Sequence, residues 1–143
     1  MNSHGTVVVT GANSGIGRST ALLLASKGYK VFATMRSLSR GEKLRAVADE
    51  LQLEVFQIEL DVASDESVQE GFSQIFEASE RIDVLVNNAG IGSNASVEDV
   101  TIDSDKEVFE TNFWGVIRCT QAVLPNMREN RSGHIIQISS IAG

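Results

Sequence analysis

The chain has 143 residues, with 12 Lys and Arg against 19 Asp and Glu for a formal charge of −7, and it is 42% hydrophobic and 22% charged. This is the size and composition of one ordinary globular domain, which excludes a disordered chain, and the scattered basic residues argue against a nucleic-acid partner, since neutralising phosphates takes clustered Lys and Arg. A single cysteine, Cys119, can close no internal disulfide and build no metal cage, and the absence of a signal-type or membrane-length apolar run sets cytoplasmic, with no membrane partner, as the expected location.

Short β-branched runs alternate with stretches of helical spacing, the pattern of βαβ units. A first strand is predicted over Thr6 to Thr10, then a helix from about Ile16 to Lys27 with Ala21, Leu22, Leu23, Leu24 and Ala25 as its buried stripe and Gly28 as its stop. A second strand near Tyr29 to Thr34 leads to a more polar helix over about Arg40 to Glu50, and a third strand covers about Glu54 to Glu59. Ser64 is the predicted N-cap of a third helix ending near Glu80, with Asp65 and Glu66 favourably placed in its first turn. A fourth strand, Ile82 to Val86, carries apolar residues of both parities, as expected for a parallel strand covered on both faces. Thr101 to Met127 reads as mostly helical, with Val108, Phe109, Phe113, Val116, Ile117, Thr120, Val123 and Leu124 as a wide apolar stripe and Pro125 placed to bend or stop it. A fifth strand is predicted over His134 to Ser139.

The segment between the first strand and first helix is Thr10-Gly11-Ala12-Asn13-Ser14-Gly15-Ile16-Gly17-Arg18. It is not a P-loop, because Ala12 stands where that motif's first glycine belongs and Arg18 where its Lys does; nor is it G-x-G-x-x-G, because Thr20 takes the place of the last glycine. A tight, glycine-bearing turn into a helix N-terminus suits a pyrophosphate, although such glycines also serve turn geometry alone.

Thr10 to Gly17 matches the T-G-x-x-x-G-x-G pattern of the short-chain dehydrogenase/reductase family, and the resemblance extends from Thr6 to Gly143. Asp61, with Val62 beside it, resembles the family's adenine-contacting Asp. Asn87-Asn88-Ala89-Gly90 is similar to the N-N-A-G element that borders the cofactor, Asn112 to the catalytic-site Asn, and Ser140 to the catalytic Ser. Each has a plainer reading as well: Asp61 as a loop carboxylate before the Ser64 cap, Asn87 and Asn88 as turn residues. Asn112, a poor helix former among Phe109, Phe113 and Val116, is expected to be a buried amide with partners.

The resemblance implies an α/β, Rossmann-like doubly wound parallel sheet of order 3-2-1-4-5, truncated, with cofactor contacts from Thr10, Gly11, Asn13, Ser14, Gly15, Ile16, Gly17, Arg36, Asp61, Val62, Asn88, Ala89 and Gly90. NAD enzymes place an acid at the end of the second strand, whereas Arg suits a 2′-phosphate. Here Met35 stands at the acid's position with Arg36 next to it, so NADP is expected over NAD, with Arg18 as a possible second cation. The implied reaction is hydride transfer between a nicotinamide and a small carbonyl or alcohol substrate, and the Ala33–Arg36 stretch resembles steroid- and retinoid-type members.

The family's proton donor is a Tyr with a Lys four residues later, expected beyond Ser140. The one tyrosine, Tyr29, precedes the second strand and does not match that element. The chain is therefore expected to carry the cofactor-binding part of an oxidoreductase and to show no carbonyl reductase activity alone, the alternative being a non-catalytic nucleotide-binding or interaction module. A homo-oligomer is expected of a full-length member, and the unprotected fifth strand predicts that the isolated chain aggregates or needs a partner. His134 has no Cys or His at ligand spacing, so no metal is expected; Trp114 and the phenylalanines are expected in the core, and Cys119 as a small buried hydrophobe.

Overall fold

The computed structural model describes residues 4–93 and 95–141. Asn94 and the last two residues of the Thr6–Gly143 resemblance lie outside them. The elements are β1 (Thr6–Val9), α1 (Gly15–Ser26), β2 (Lys30–Met35), a 3₁₀ turn (Leu38–Gly41), α2 (Glu42–Glu50), β3 (Val55–Glu59), α3 (Asp65–Ala78), β4 (Val84–Asn87), α4 (Ile102–Phe109), a π turn (Glu110–Trp114), α5 (Gly115–Glu129) and β5 (His134–Gln137). The strands form one parallel sheet in the order β3-β2-β1-β4-β5, as the resemblance implied.

Alternation along β1 divides the core in two. Val8, which pairs with Phe32 and Leu85, faces a cluster that includes Phe72 and Ile75 of α3 and Cys119, Val123 and Met127 of α5. Val7 and Val9 face Ala21 of α1, Val31 and Ala33 of β2, and Leu44 of α2. β1 is thus sandwiched, and Val7, Val8 and Val9 are all 0% exposed.

Local chemistry sets the helix ends. The Ser64 hydroxyl accepts the Ser67 N–H at 3.2 Å, and that of Thr101 accepts the Ser104 N–H at 3.2 Å. Gly28, at φ +85°, takes the left-handed conformation that ends α1. Arg40, expected at the start of α2, instead closes the 3₁₀ turn. The fourth strand begins two residues later than predicted, at Val84, and the N–H of Ile82 bonds the Asn126 side chain rather than a neighbouring strand. The fifth ends at Gln137 rather than Ser139.

Three expectations fail. Leu23 is 57% exposed, so the stripe of α1 is narrower than read. The long helix is interrupted by the π turn, and its buried positions are Gly115, Cys119, Val123 and Met127, while Phe109, Phe113, Ile117 and Leu124 are exposed. Trp114 is exposed with them, edge-on to Phe113. Pro125, placed to bend or stop the helix, lies inside α5, which continues to Glu129.

Candidate functional site

The site forms where β1 and β4 end side by side, a crevice at the carboxyl ends of parallel strands. Thr10 is its hub. Its backbone N–H donates to the carbonyl of Val86 at 3.0 Å, and its buried hydroxyl accepts the N–H groups of Asn88 and Ala89, both at 3.0 Å. The Asn88 amide donates to the carbonyls of Thr10 at 3.0 Å and Gly11 at 3.2 Å. Asn87 is buried and reaches the Thr120 hydroxyl on α5 at 3.2 Å. Asn88 therefore cross-links the first and fourth strand ends, and Asn87 ties the fourth to α5, both beyond a turn role.

The three glycines of the first turn answer to different constraints. Gly11, at φ +62°, lies so close to Ala89 that a Cβ would sit 2.7 Å from its Cα. A Cβ on Gly17 would collide with the Asn88 amide and the Gly11 carbonyl, so this glycine lets α1 seat against the turn. Gly15, at φ +52°, has nothing within 4 Å of a Cβ position. Two glycines thus serve internal packing, and the third leaves space open.

That space belongs to a cleft of about 400 Å³ bordered by Gly11, Ser14, Gly15 and Ile16 on one side, Met35 and Arg36 at the end of β2, Asp61 and Val62 after β3, and Asn88–Ile91. The N-terminus of α1 opens onto it: Ser14 makes no side-chain cap bond, and no acid stands in the first turn. Unpaired N–H groups and the helix dipole make such an end receptive to an anion. Arg36 is exposed, whereas Met35 is 1% exposed and packs toward Gly41. Asp61 is held by its own loop, its carboxylate accepting the Ala63 N–H at 3.0 Å while its N–H donates to the Ser67 hydroxyl at 2.8 Å. A cradle with an open helix end and a cation at the lip fits a phosphate-bearing dinucleotide.

A second cleft, about 600 Å³, shares Ile16 and Asn88–Ile91 with the first and adds Asn112, Val116 and Gln137–Ser140. The Asn112 side chain accepts the Ile91 N–H at 2.8 Å and donates to the Ile91 carbonyl at 2.7 Å. The partners expected for this amide are present, but it is exposed rather than buried, and it lies within the π turn, none of whose residues is buried. Ser140 is exposed on the far wall.

Of the residues singled out in the sequence, Thr10, Asn13, Gly17 and Arg18 border neither cleft, Arg18 lining instead a groove along α1 that shares Gly15 and Ile16 with the first. Ile91 and Thr111 were not singled out, yet Ile91 borders both clefts and Thr111 the first. Their only sequence signal is adjacency to the N-N-A-G element and to Asn112. Tyr29 sits at the opening end of β2, opposite the strand ends that form the clefts.

Behind the Asp61–Val62 wall, the Arg118 guanidinium bonds the Asp65 carboxylate, the Glu110 carboxylate at 2.7 Å, and the carbonyls of Glu110 at 3.3 Å and Val62 at 3.4 Å. Desolvation pulls its pKa down, but the hydrogen bonds and charges of Asp65 and Glu110 outweigh this and hold it above the ordinary value. Next to it, burial pushes the Cys119 thiol up from 9.0 to about 12, only partly offset by the Arg118 charge. Among the described residues, no cluster of His, Cys, Asp or Glu is arranged to hold a metal ion, and no helix is long and apolar enough to cross a membrane.

Sheet order, glycine-bearing turn and strand-end crevice define the doubly wound α/β class. Residues 5–143 match the family described as short chain dehydrogenase, and the chain belongs to that family of oxidoreductases. It is 44% identical over 142 residues to human retinol dehydrogenase 8, covering 96% of this chain and 45% of that protein. The 3-ketodihydrosphingosine reductase of Bacteroides thetaiotaomicron is 38% identical over 138 residues, 96% of this chain and 47% of that one. A short-chain dehydrogenase from Streptomyces avermitilis superposes with a TM-score of 0.88 at 34% identity, over 98% of this chain and 50% of that one. A metagenomic short-chain oxidoreductase in complex with NADP superposes with a TM-score of 0.90 at 29% identity, over 98% of this chain and 64% of that one. The chain spans about half the length of the curated relatives it matches.

Proposed function

We propose that this chain is the dinucleotide-binding part of an NADP-dependent oxidoreductase acting on an alcohol or carbonyl carbon. The observation that carries the reading is the first cleft, in which the open N-terminus of α1 faces Arg36 at the end of β2. In this reading Ser14, Gly15 and Ile16 bind the pyrophosphate through the helix end, and Arg36 pairs with the 2′-phosphate. Asp61 and Val62 border the adenine, while Asn88, Ala89 and Gly90 line the passage to the second cleft. Thr10, Gly11, Asn13 and Gly17 act indirectly, by shaping the turn that presents these groups.

When bound, the nicotinamide supplies or accepts the hydride. Ser140 orients the substrate oxygen from the end of β5, and Asn112 holds the Ile91 backbone in place at the same cleft. The substrate stays at the level of an alcohol–carbonyl pair: relatives of comparable identity are named for retinol, for a ketodihydrosphingosine and for an oxoacyl carrier protein, and an oxidisable hydroxyl or reducible ketone is what those names share.

Met35 and Arg36 provide the test. The Met35→Asp, Arg36→Ser double variant is expected to shift preference toward NAD in calorimetric titrations with both nucleotides, because an acid accepts the ribose hydroxyl and repels a 2′-phosphate. Unchanged preference would overturn the NADP assignment, and no binding of either nucleotide to the unsubstituted chain would overturn the cofactor reading itself.

A further inference from the structure

We propose that Arg118 is a positioning residue: by gripping Glu110 it holds the helix in the π register that aims Asn112 at Ile91. The inference rests on the reading of the second cleft as the reaction site, but its structural core is independent of any ligand.

The helical path from Ile102 to Glu129 is continuous apart from the π turn, where the Gly115 N–H bonds the Glu110 carbonyl five residues back. A π turn holds one residue more than an α turn, is rare, and needs something to keep it. Packing does not keep this one: none of its residues is buried, and Phe113 and Trp114 are 50% and 49% exposed.

Phase explains what does. At about 100° per residue, positions 110 and 118 of an unbroken α-helix lie about 80° apart around the axis. One extra residue in the turn brings them within about 20°, so the long guanidinium can run back along the helix to its partner. Arg118 then takes both the carboxylate and the carbonyl of Glu110, the same carbonyl that accepts the π bond. The contact is thus in phase in the π register and out of phase in the α register. Relaxing to α would rotate the helix before the turn by about 100° relative to α5, and Asn112 would lose its two bonds to Ile91. The remaining Arg118 contacts, to the Val62 carbonyl and Asp65, anchor this clasp to the wall of the first cleft.

The test reads the Ile91 amide by hydrogen exchange, together with the Asn112 side-chain resonances and the emission of Trp114, the sole tryptophan. In Arg118→Met, exchange at Ile91 is expected to rise about tenfold or more, the scale set by losing a charge-assisted hydrogen bond. The Asn112 resonances and Trp114 emission should shift while the Val8 and Leu85 amides stay protected. Arg118→Lys, which keeps a cationic donor facing Glu110, should retain part of the Ile91 protection, and Asp65→Asn, which leaves the Glu110 contacts in place, should keep it. Unmoved Ile91 and Asn112 signals in Arg118→Met overturn the proposal, as does an equal rise in exchange in Asp65→Asn. Should Arg118→Met not fold, Glu110→Ala removes the side chain that Arg118 grips, and unmoved signals there overturn it equally. A parallel titration of the unsubstituted chain with NADP⁺ separates the two readings: no binding strikes the cofactor assignment and leaves the clasp to be judged on Ile91.

Discussion

β1 and β5 lie two positions apart in one parallel sheet and both carry β-branched apolar residues at their centres, yet their surroundings differ. Val7, Val8 and Val9 are fully buried between helices on both faces, whereas Ile136 and Ile138 at β5 are 47% and 40% exposed. Only Ile135 of β5 packs against the α3–α5 core. The long helix repeats the contrast: Cys119, Val123 and Met127 on one face are buried, and Phe109, Phe113 and Ile117 on another are open. Side-chain type thus does not decide burial; the number of covered faces does. The first cleft stands on the well-covered strand ends, and the second spans from them to the open edge.

Paired truncations on neighbouring strands should break this comparison most strongly if it is wrong. Leu85→Ala on β4, at a position 0% exposed, should cost about 2–5 kcal/mol, while Ile136→Ala on β5 should stay within about 0.5 kcal/mol. Urea unfolding checks both, and equal losses would contradict the asymmetry.

The next largest effect concerns Cys119, whose thiol is raised in the fold from 9.0 to about 12. The unfolded chain loses this proton first, so the contribution of the buried thiol is fully present below pH 9.0 and is lost as pH rises toward about 12. Each unit within that window costs up to about 1.4 kcal/mol. Cys119→Ala should flatten the alkaline limb of the stability curve, and in the native chain the thiol should resist iodoacetamide until urea opens the core.

Thr10→Val removes the hydroxyl that accepts the Asn88 and Ala89 N–H groups and should cost about 1–3 kcal/mol, with Thr10→Ser restoring the loss. The smallest effect has the opposite sign. The hydroxyl of Thr34, 0% exposed on β2, has no hydrogen-bond partner among the described residues, so Thr34→Val should stabilise by about 1 kcal/mol in thermal unfolding.

Where local chemistry decides, the sequence was readable. The Ser64 cap, the Gly28 stop and the βαβ alternation follow from short-range rules, and the strand order came through the family resemblance. The inner face of the long helix was not readable. A single 3.6-residue period does not hold across a π turn that shifts the phase by one residue, and Phe109 and Phe113, in phase with the predicted stripe, are exposed. The true face is marked by small residues, because a Cβ on Gly115 would lie 2.7 Å from the Val62 side chain. At the site, the motifs located the walls, but the role of Thr10 depends on the adjacency of β1 and β4, which lie far apart in the chain. Gly17, which the motif places among the cofactor contacts, has a packing role that the motif does not reveal, accommodating Asn88.

The central claim is that a phosphate-bearing dinucleotide occupies the cleft on the well-covered strand ends. Backbone amide shifts of the chain, followed while NADP⁺ is added, test it most directly. The expected result is saturable movement of Ser14, Gly15, Ile16, Arg36, Asp61, Val62 and Asn88–Ile91, with Phe72 and Ile75 of α3 and Arg128 of α5 unmoved. Shifts centred on those helix positions, or none at saturating nucleotide, would contradict it.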